Sequence, residues 1–130
     1  MSETHRLGAL QLAIMRVLWE QREATVASVH SALHAERGLA LTTIATMLRK
    51  MEAKGVVDHR AEGRQFIYRP LVPEHEIRSN MLGELTERLF LGDTAALVSH
   101  LLDAEGIEPA ELDRLKELIA AKEEELREND

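Results

Sequence analysis

The clearest hydrophobic pattern in the chain runs through residues 41–55. Ile44, Met47, Leu48 and Met51 recur at the i, i+3, i+4 and i+7 positions, which lie on one face of an α-helix. Thr42 is suited to cap the start of this helix, and Gly55 is suited to the position just beyond its end. The pattern therefore predicts a helix over residues 41–54 with one buried and one exposed face.

The exposed face of this helix is polar and almost free of acid. It consists of Thr42, Thr43, Thr46, Arg49, Lys50 and Ala53. Short hydroxyl side chains near a helix N-terminus suit the base edges of the DNA major groove, and Arg and Lys suit phosphates or guanines. Such a face is also typical of an ordinary solvent-facing helix, so the neighbouring elements have to decide between the two interpretations.

Two further helices are predicted before this one. The first covers residues 7–20, with an apolar stripe formed by Leu7, Leu10, Ile14, Val17 and Leu18. Thr25 looks like the N-cap of the second, whose inward residues are Val26, Val29 and Leu33 and which ends at Gly38. Three short helices, the third with a Thr/Arg/Lys face, predict a helix-turn-helix.

After Gly55 the pattern changes from helical to extended. Residues 56–60 and 66–69 favour β-strands, and the turn between them contains Gly63, which tolerates a positive φ angle. A hairpin after three helices predicts a winged helix, whose tip carries Arg60 and Arg64 within reach of DNA phosphates. The alternative for these two arginines is a solvated turn. Because helix face and hairpin both fit DNA, we favour DNA binding.

Residues 73–130 carry apolar positions at helical spacing in three further segments. Gly92-Asp93 and Gly106 separate the segments, Asp93 or Thr94 caps the second, and Pro109 suits the first position of the third. Their stripes are Ile77, Met81, Leu82, Leu85 and Leu89, then Leu97, Val98, Leu101 and Leu102, then Leu112, Leu115, Leu118, Ile119 and Leu126.

A three-helix segment of 58 residues is small for an independent core. We therefore predict a dimerisation module, with an interface that includes Leu82, Leu85, Leu89, Leu97, Leu101, Leu115 and Ile119. The alternative is a monomeric helical subdomain packed on the wing. The predicted fold is mostly α, with an N-terminal winged helix-turn-helix domain at residues 1–72 and the C-terminal three-helix dimerisation module at residues 73–130.

The charge distribution separates the same two halves. Residues 1–72 hold ten Lys and Arg against seven Asp and Glu, a net charge of +3. Residues 73–130 hold six against sixteen, a net charge of −10. Such an asymmetry indicates separate roles, and only the mildly basic half suits a polyanion such as DNA.

Other classes of function find little support in the residues. His30 and His34 stand at i and i+4, but two ligands are too few for a strong metal site, and Glu36 alone does not complete one. No hydrolase motif, Gly-rich phosphate loop or Ser/His/Asp set accompanies them, so we predict no enzyme, no cofactor and no metal. The alternatives kept open are a winged helix that binds only protein, and a ligand- or metal-responsive sensor without thiolate ligands.

The chain contains no cysteine and no apolar run of about 18 residues. These features predict a cytoplasmic protein without direct membrane insertion.

With both halves considered, the chain resembles the penicillinase-repressor family of bacterial regulators, the BlaI/MecI type, which includes the copper-responsive CopY repressors. The resemblance rests on residues 10–19, residues 42–51 and Lys54-Gly55 in the first half. In the second half it rests on residues 92–98 and 111–115. It extends over essentially the whole chain.

This resemblance implies a homodimer that represses genes by binding a palindromic operator. The operator contacts would fall on Thr42, Thr43, Thr46, Arg49 and the wing. It also implies relief of repression by a membrane sensor-protease that cuts within the C-terminal module, near His100-Leu101, where well-known members have Asn-Phe. The cysteine cluster of the copper-sensing branch is absent, which excludes copper sensing through thiolates.

Overall fold

The computed structural model describes residues 7–129, apart from the side chains of residues 35–37. The elements follow the predicted order, with one short strand added before the second helix. They are α1 (Ala9–Gln21), β1 (Ala24–Thr25), α2 (Val26–Arg37), α3 (Leu41–Ala53), β2 (Val57–Glu62), β3 (Gln65–Pro70), α4 (Glu74–Phe90), α5 (Thr94–Asp103) and α6 (Pro109–Glu128). The mostly α, winged-helix fold class is confirmed.

The chain forms two compact units, which divide between Leu85 and Thr86, within α4. The predicted domain boundary at residues 72 and 73 lies just before that helix.

The core of the first unit is aliphatic and is built from the predicted stripes. Ile14 and Leu18 of α1, Val29 of α2, and Ile44 and Leu48 of α3 have no exposed surface. Met47, predicted in the same stripe, is only partly buried at the edge of the core. Removing these apolar side chains from water is the main force that holds the three helices together.

Of the residues predicted to cap the ends of α2 and α3, two are confirmed and one is wrong. Thr25 caps α2 as predicted, since its hydroxyl oxygen accepts a hydrogen bond from the Ser28 backbone N–H at 3.1 Å. The predicted cap by Thr42 is wrong, because the N-cap of α3 is Ala40, two residues earlier, and the helix begins at Leu41. Gly55 follows the helix with φ of +82°, which confirms its predicted place beyond the C-terminus.

The strands form a three-stranded antiparallel sheet in the order β1-β3-β2. Strands β2 and β3 make the hairpin that we call the wing, residues 57–70. Its two-residue turn is Gly63-Arg64, and the φ of +62° at Gly63 has the sign that a type II′ turn requires at its first central residue. The register pairs Asp58 with Arg69 and His59 with Tyr68, so these two pairs lie on opposite faces of the wing.

The second unit contains the end of α4 and helices α5 and α6. The Asp93 side chain caps α5 by accepting from the Ala96 backbone N–H at 3.0 Å, and Pro109 is the first residue of α6, both as predicted. No residue of α5 or α6 is buried in the single chain, although both helices carry several leucines. Within residues 7–129, no helix is long and apolar enough to cross a membrane.

Candidate nucleic-acid interface

Helix α3 presents to solvent every DNA-contact residue that was predicted on this helix. We call Thr42, Thr43, Thr46, Arg49 and Lys50 the recognition face, and all five are exposed while Ile44, Leu48 and Met51 hold the opposite face in the core. The helical period explains this arrangement, because residues three and four apart share a side of the helix. No acidic side chain interrupts the recognition face.

The recognition face contains a shallow concavity of about 260 Å³. Its lining is made by Thr42, Thr43, Thr46, Met47 and Lys50. Beside it, the Arg49 guanidinium donates a hydrogen bond to the Thr46 hydroxyl at 3.2 Å. The face therefore combines hydroxyl groups, methyl groups and two cations, which are the groups that read base edges and hold phosphates.

Helix α3 is anchored to its neighbours by polar contacts at its edge. The Gln11 side chain of α1 donates from Nε2 to the Met47 sulfur at 3.3 Å and accepts at Oε1 from Lys54 Nζ at 3.1 Å. On the other side, Glu52 Oε1 lies 2.5 Å from Nδ1 of His59 in β2. These contacts fix α3 against both α1 and the wing.

The two predicted arginines of the wing have different surroundings. Arg60 donates to Glu23 through both Nη atoms, at 2.6 and 3.0 Å, and its Nη2 is 3.3 Å from Glu62. Arg64 in the turn is exposed and makes no ion pair or hydrogen bond within residues 7–129. Of the two, Arg64 has the guanidinium that is available to a phosphate.

A second bidentate pair lies beside the first. Arg69 donates from Nε and Nη2 to the two carboxylate oxygens of Asp58, at 2.6 and 3.0 Å. Hydrogen bonds from the arginines lower the pKa of both Glu23 and Asp58. Because the folded-state pKa values of these carboxylates lie below the usual ones, the two ion pairs contribute to the stability of the folded state at neutral pH. This contribution to stability is lost as the pH falls through the lowered pKa values.

The residues predicted for dimerisation are distributed over both units. Leu82 and Leu85 lie in the first, where they line a groove of about 330 Å³ together with Leu12, Trp19, Ile77 and Met81. The Trp19 indole N–H donates a hydrogen bond to the Val72 carbonyl at 2.9 Å. Leu89, Leu97, Leu101, Leu115 and Ile119 lie in the second unit, and four of these five are exposed, Leu97 being partly buried.

The predicted cleavage position, His100-Leu101, lies inside α5. The His100 ring packs edge-on against Phe90, with 5.9 Å between the ring centroids. His100 and Leu101 are both exposed. Because proteolysis favours chain that has left regular structure, a cut here requires local opening of this helix.

Sequence reasoning missed the acidic partners of the wing. Glu23 and Glu62 bind Arg60, Asp58 binds Arg69 and Glu52 binds His59. The Asp58–Arg69 pair follows from the strand register once that is known. The Glu23–Arg60 pair joins residues 37 positions apart and had no signal in the linear pattern.

The surroundings of His30 and His34 bear on the alternative of a metal-responsive sensor. His30 Nε2 lies 2.8 Å from the Leu39 carbonyl oxygen, and the His30 and His34 rings are 5.1 Å apart between centroids. Within residues 7–129 no group of three or more His, Cys, Asp or Glu side chains is placed to hold a metal ion.

Comparison with known proteins gives consistent similarities over most of the chain. A sequence model described as penicillinase repressor matches residues 7–121. The transcriptional regulator BlaI of Mycobacterium tuberculosis is 33% identical over 122 residues, which are 92% of this chain and 87% of that protein. The penicillinase repressor of Bacillus licheniformis is 24% identical, covering 92% and 93% of the two chains.

A solved structure supports the assignment of the first unit as a winged-helix DNA-binding domain. The solution structure of the DNA-binding domain of the repressor BlaI matches with a TM-score of 0.52 and 29% sequence identity. The match covers 58% of this chain and 93% of that domain.

Proposed function

Because this chain belongs to the penicillinase-repressor family, and is a transcriptional repressor of its BlaI/MecI type with a DNA-binding winged helix, we propose that it binds a palindromic operator as a homodimer. The recognition face enters the major groove, and Arg64 of the wing contacts a flanking phosphate. The protein acts by occupying DNA and carries out no chemical reaction.

The observation that carries this proposal is the recognition face itself. Its three threonines and two cations are exposed together on a helix whose other side is fixed in the core. The one acid near the end of that helix, Glu52, is held by His59. A helix presented in this way offers a phosphate-binding edge and several base-reading side chains at once.

The direct test is a salt titration of binding to the DNA upstream of the chain's own gene. DNA binding releases condensed counterions, so the affinity is expected to fall steeply and linearly on a log–log plot against salt concentration. A winged helix that binds only protein would leave that DNA unshifted at every salt concentration, which would refute the proposal.

We expect Arg64→Ala to weaken binding to every DNA sequence by a similar factor. The guanidinium at the turn carries no base information in this proposal, so its loss removes one phosphate contact per subunit. The salt dependence should therefore flatten by about one unit per wing. Lys122→Ala, which removes a cation from α6, is the control and should leave the slope unchanged. A sequence-selective loss in Arg64→Ala would assign this side chain to a base.

The homodimer proposal rests on the uncovered leucines of the second unit. Helices α5 and α6 expose Leu101, Leu115, Leu118 and Ile119 in the single chain, and contiguous exposed apolar surface is typical of protein interfaces. A two-fold symmetric pair of recognition helices then requires operator half-sites about one helical turn apart, or a multiple of that distance.

Release of the operator is proposed to follow a cut in the second unit, within residues 97–102. Separating the winged helices from their dimer contacts would make each half-site bind independently, without altering the recognition face. A membrane sensor-protease is the proposed partner. The residues His100-Leu101 differ from the Asn-Phe pair of well-known family members, so the protease would have to accept a different sequence.

We expect an immunoblot of the host during induction to show loss of the intact chain together with expression of the target genes. Changing His100 to proline and Leu101 to aspartate would block a cut but would also disturb α5. Leu101→Ile changes the same bond while it keeps the apolar volume of the side chain, so it disturbs the helix less. Target genes that turn on while the protein remains full length would refute proteolysis. A small-molecule inducer would then replace the protease.

A further inference from the structure

The outer face of the wing is acidic overall, although it contains two arginines. We use "outer face" for the charged group Glu23, Asp58, Arg60, Glu62 and Arg69, which the register and the ion pairs place together beyond strands β1, β2 and β3. Three carboxylates against two guanidinium groups give it a formal charge of −1. A phosphate backbone is not attracted to such a surface.

Arg60 is also held too well to act as a free phosphate ligand. Its fork binds both oxygens of Glu23 in the bidentate geometry that is strongest for a guanidinium, and Glu62 takes a third contact. Glu23 lies in the link between α1 and β1, so this pair ties the second strand of the wing to the body of the domain.

A second connection holds the inner face of the same strand. His59 of β2 contacts Glu52 at the end of α3, and its ring lies 4.4 Å from the Phe66 ring and 5.2 Å from the Tyr68 ring, between centroids. Adjacent residues of one strand, His59 and Arg60, are therefore fixed on opposite faces of the wing, one to the recognition helix and one to the α1–β1 link.

We propose that Arg60, with Glu23, is a positioning pair that sets the angle of the wing, and that neither side chain contacts DNA. The turn that carries Arg64 is only three residues further along β2, so the angle of β2 decides where the free guanidinium meets the backbone. This inference rests on the proposed function and assigns Arg60 a role different from the phosphate contact expected from the sequence.

The Glu23→Gln variant separates the two roles, because they predict opposite signs. Removing an acid from a DNA-binding protein raises its affinity on electrostatic grounds, and it would also free Arg60 for a phosphate. If the pair positions the wing, Glu23→Gln instead weakens operator binding, by about 2- to 5-fold per wing for a pair at the surface. Glu20→Gln, an equal loss of charge at an exposed position of α1, is the matched control and should not weaken binding.

An exchange of the two charges gives a rescue test. Arg60→Glu alone should weaken binding under either role. The double variant Glu23→Arg/Arg60→Glu should return binding toward the wild-type level if the pair positions the wing, since it joins the same two positions with the charges reversed. Persistence of the full Arg60→Glu loss in the exchanged variant would overturn the proposal, as would tighter binding by Glu23→Gln.

A third measurement asks whether the pair acts through Arg64. The loss caused by Arg64→Ala should be smaller in the Glu23→Gln background than in the wild type, because a misplaced wing has already lost part of that contact. Strict additivity would overturn the proposal. Absence of operator binding by the wild-type chain would refute the proposed function itself, so the two failures are distinguishable. Thermal unfolding of each variant confirms that the fold is intact.

Discussion

Replacing Leu115 with aspartate is expected to lower operator affinity by about 10²- to 10⁴-fold, the factor by which linkage of two binding sites raises affinity. Leu115 lies on α6, far along the chain from the recognition face, and it is partly exposed in the single chain. In the proposed dimer it becomes buried, and an unpaired carboxylate in an apolar interface is strongly unfavourable. The variant should therefore be a monomer whose winged helix is intact.

The control for this experiment is Ala120→Asp, which adds the same charge to the opposite side of α6. Sedimentation should show a dimer for the wild type and for Ala120→Asp, and a monomer for Leu115→Asp. Circular dichroism would verify that the monomer keeps its helices. A wild-type chain that sediments as a stable monomer at micromolar concentration, with unimpaired operator binding, would eliminate the dimer and with it the expected loss of affinity in Leu115→Asp.

Periodicity predicted the recognition helix well because one side of α3 is buried and the other is not. Ile44, Leu48 and Met51 have no exposed surface, so the 3.6-residue period had a strong signal. The same reasoning found the six helices of residues 7–129 and both strands of the wing. It failed at the start of α3, where the helix begins at Leu41 without a side-chain cap and not at a threonine-capped position.

Features that depend on residues distant in the sequence were beyond such reasoning. Strand β1 has only two residues, too few for a pattern, and it exists because Ala24 and Thr25 pair with Tyr68 and Ile67. Arg60 was predicted as a phosphate contact from its residue type and its place near a turn. Its bond to Glu23 depends on a tertiary arrangement that a linear pattern does not contain.

The structure also sharpens the meaning of the charge asymmetry. The first half has a net charge of +3, but much of its positive charge near the wing is bound by carboxylates. On the recognition face and at the turn of the wing, Arg49, Lys50 and Arg64 are exposed, and no carboxylate in the described part of the chain binds them. A small number of well-placed cations favours a binding mode in which base contacts matter as much as bulk electrostatic attraction.

Replacing Thr46 and Arg49 together with alanine is therefore expected to abolish specific operator binding. A side chain that contacts a base contributes about 1–3 kcal/mol of discrimination, and both residues lie on the exposed recognition face. Their hydrogen bond of 3.2 Å couples them, so the double variant should differ from the sum of the two single variants. The measurement is the ratio of operator affinity to nonspecific DNA affinity at fixed salt, for all three variants.

Arg16→Ala is the matched control, because Arg16 is an exposed cation on α1 outside the recognition face. It removes the same charge as Arg49→Ala and should leave the affinity ratio unchanged. If Arg49 only clamps a phosphate, Arg49→Ala lowers both affinities together, and the ratio changes only in the two variants that carry Thr46→Ala. An unchanged ratio in the double variant would remove α3 from the major groove. The second unit could then still form dimers, but the recognition of DNA would have to come from the wing alone, where one free arginine per subunit is too little to select a sequence.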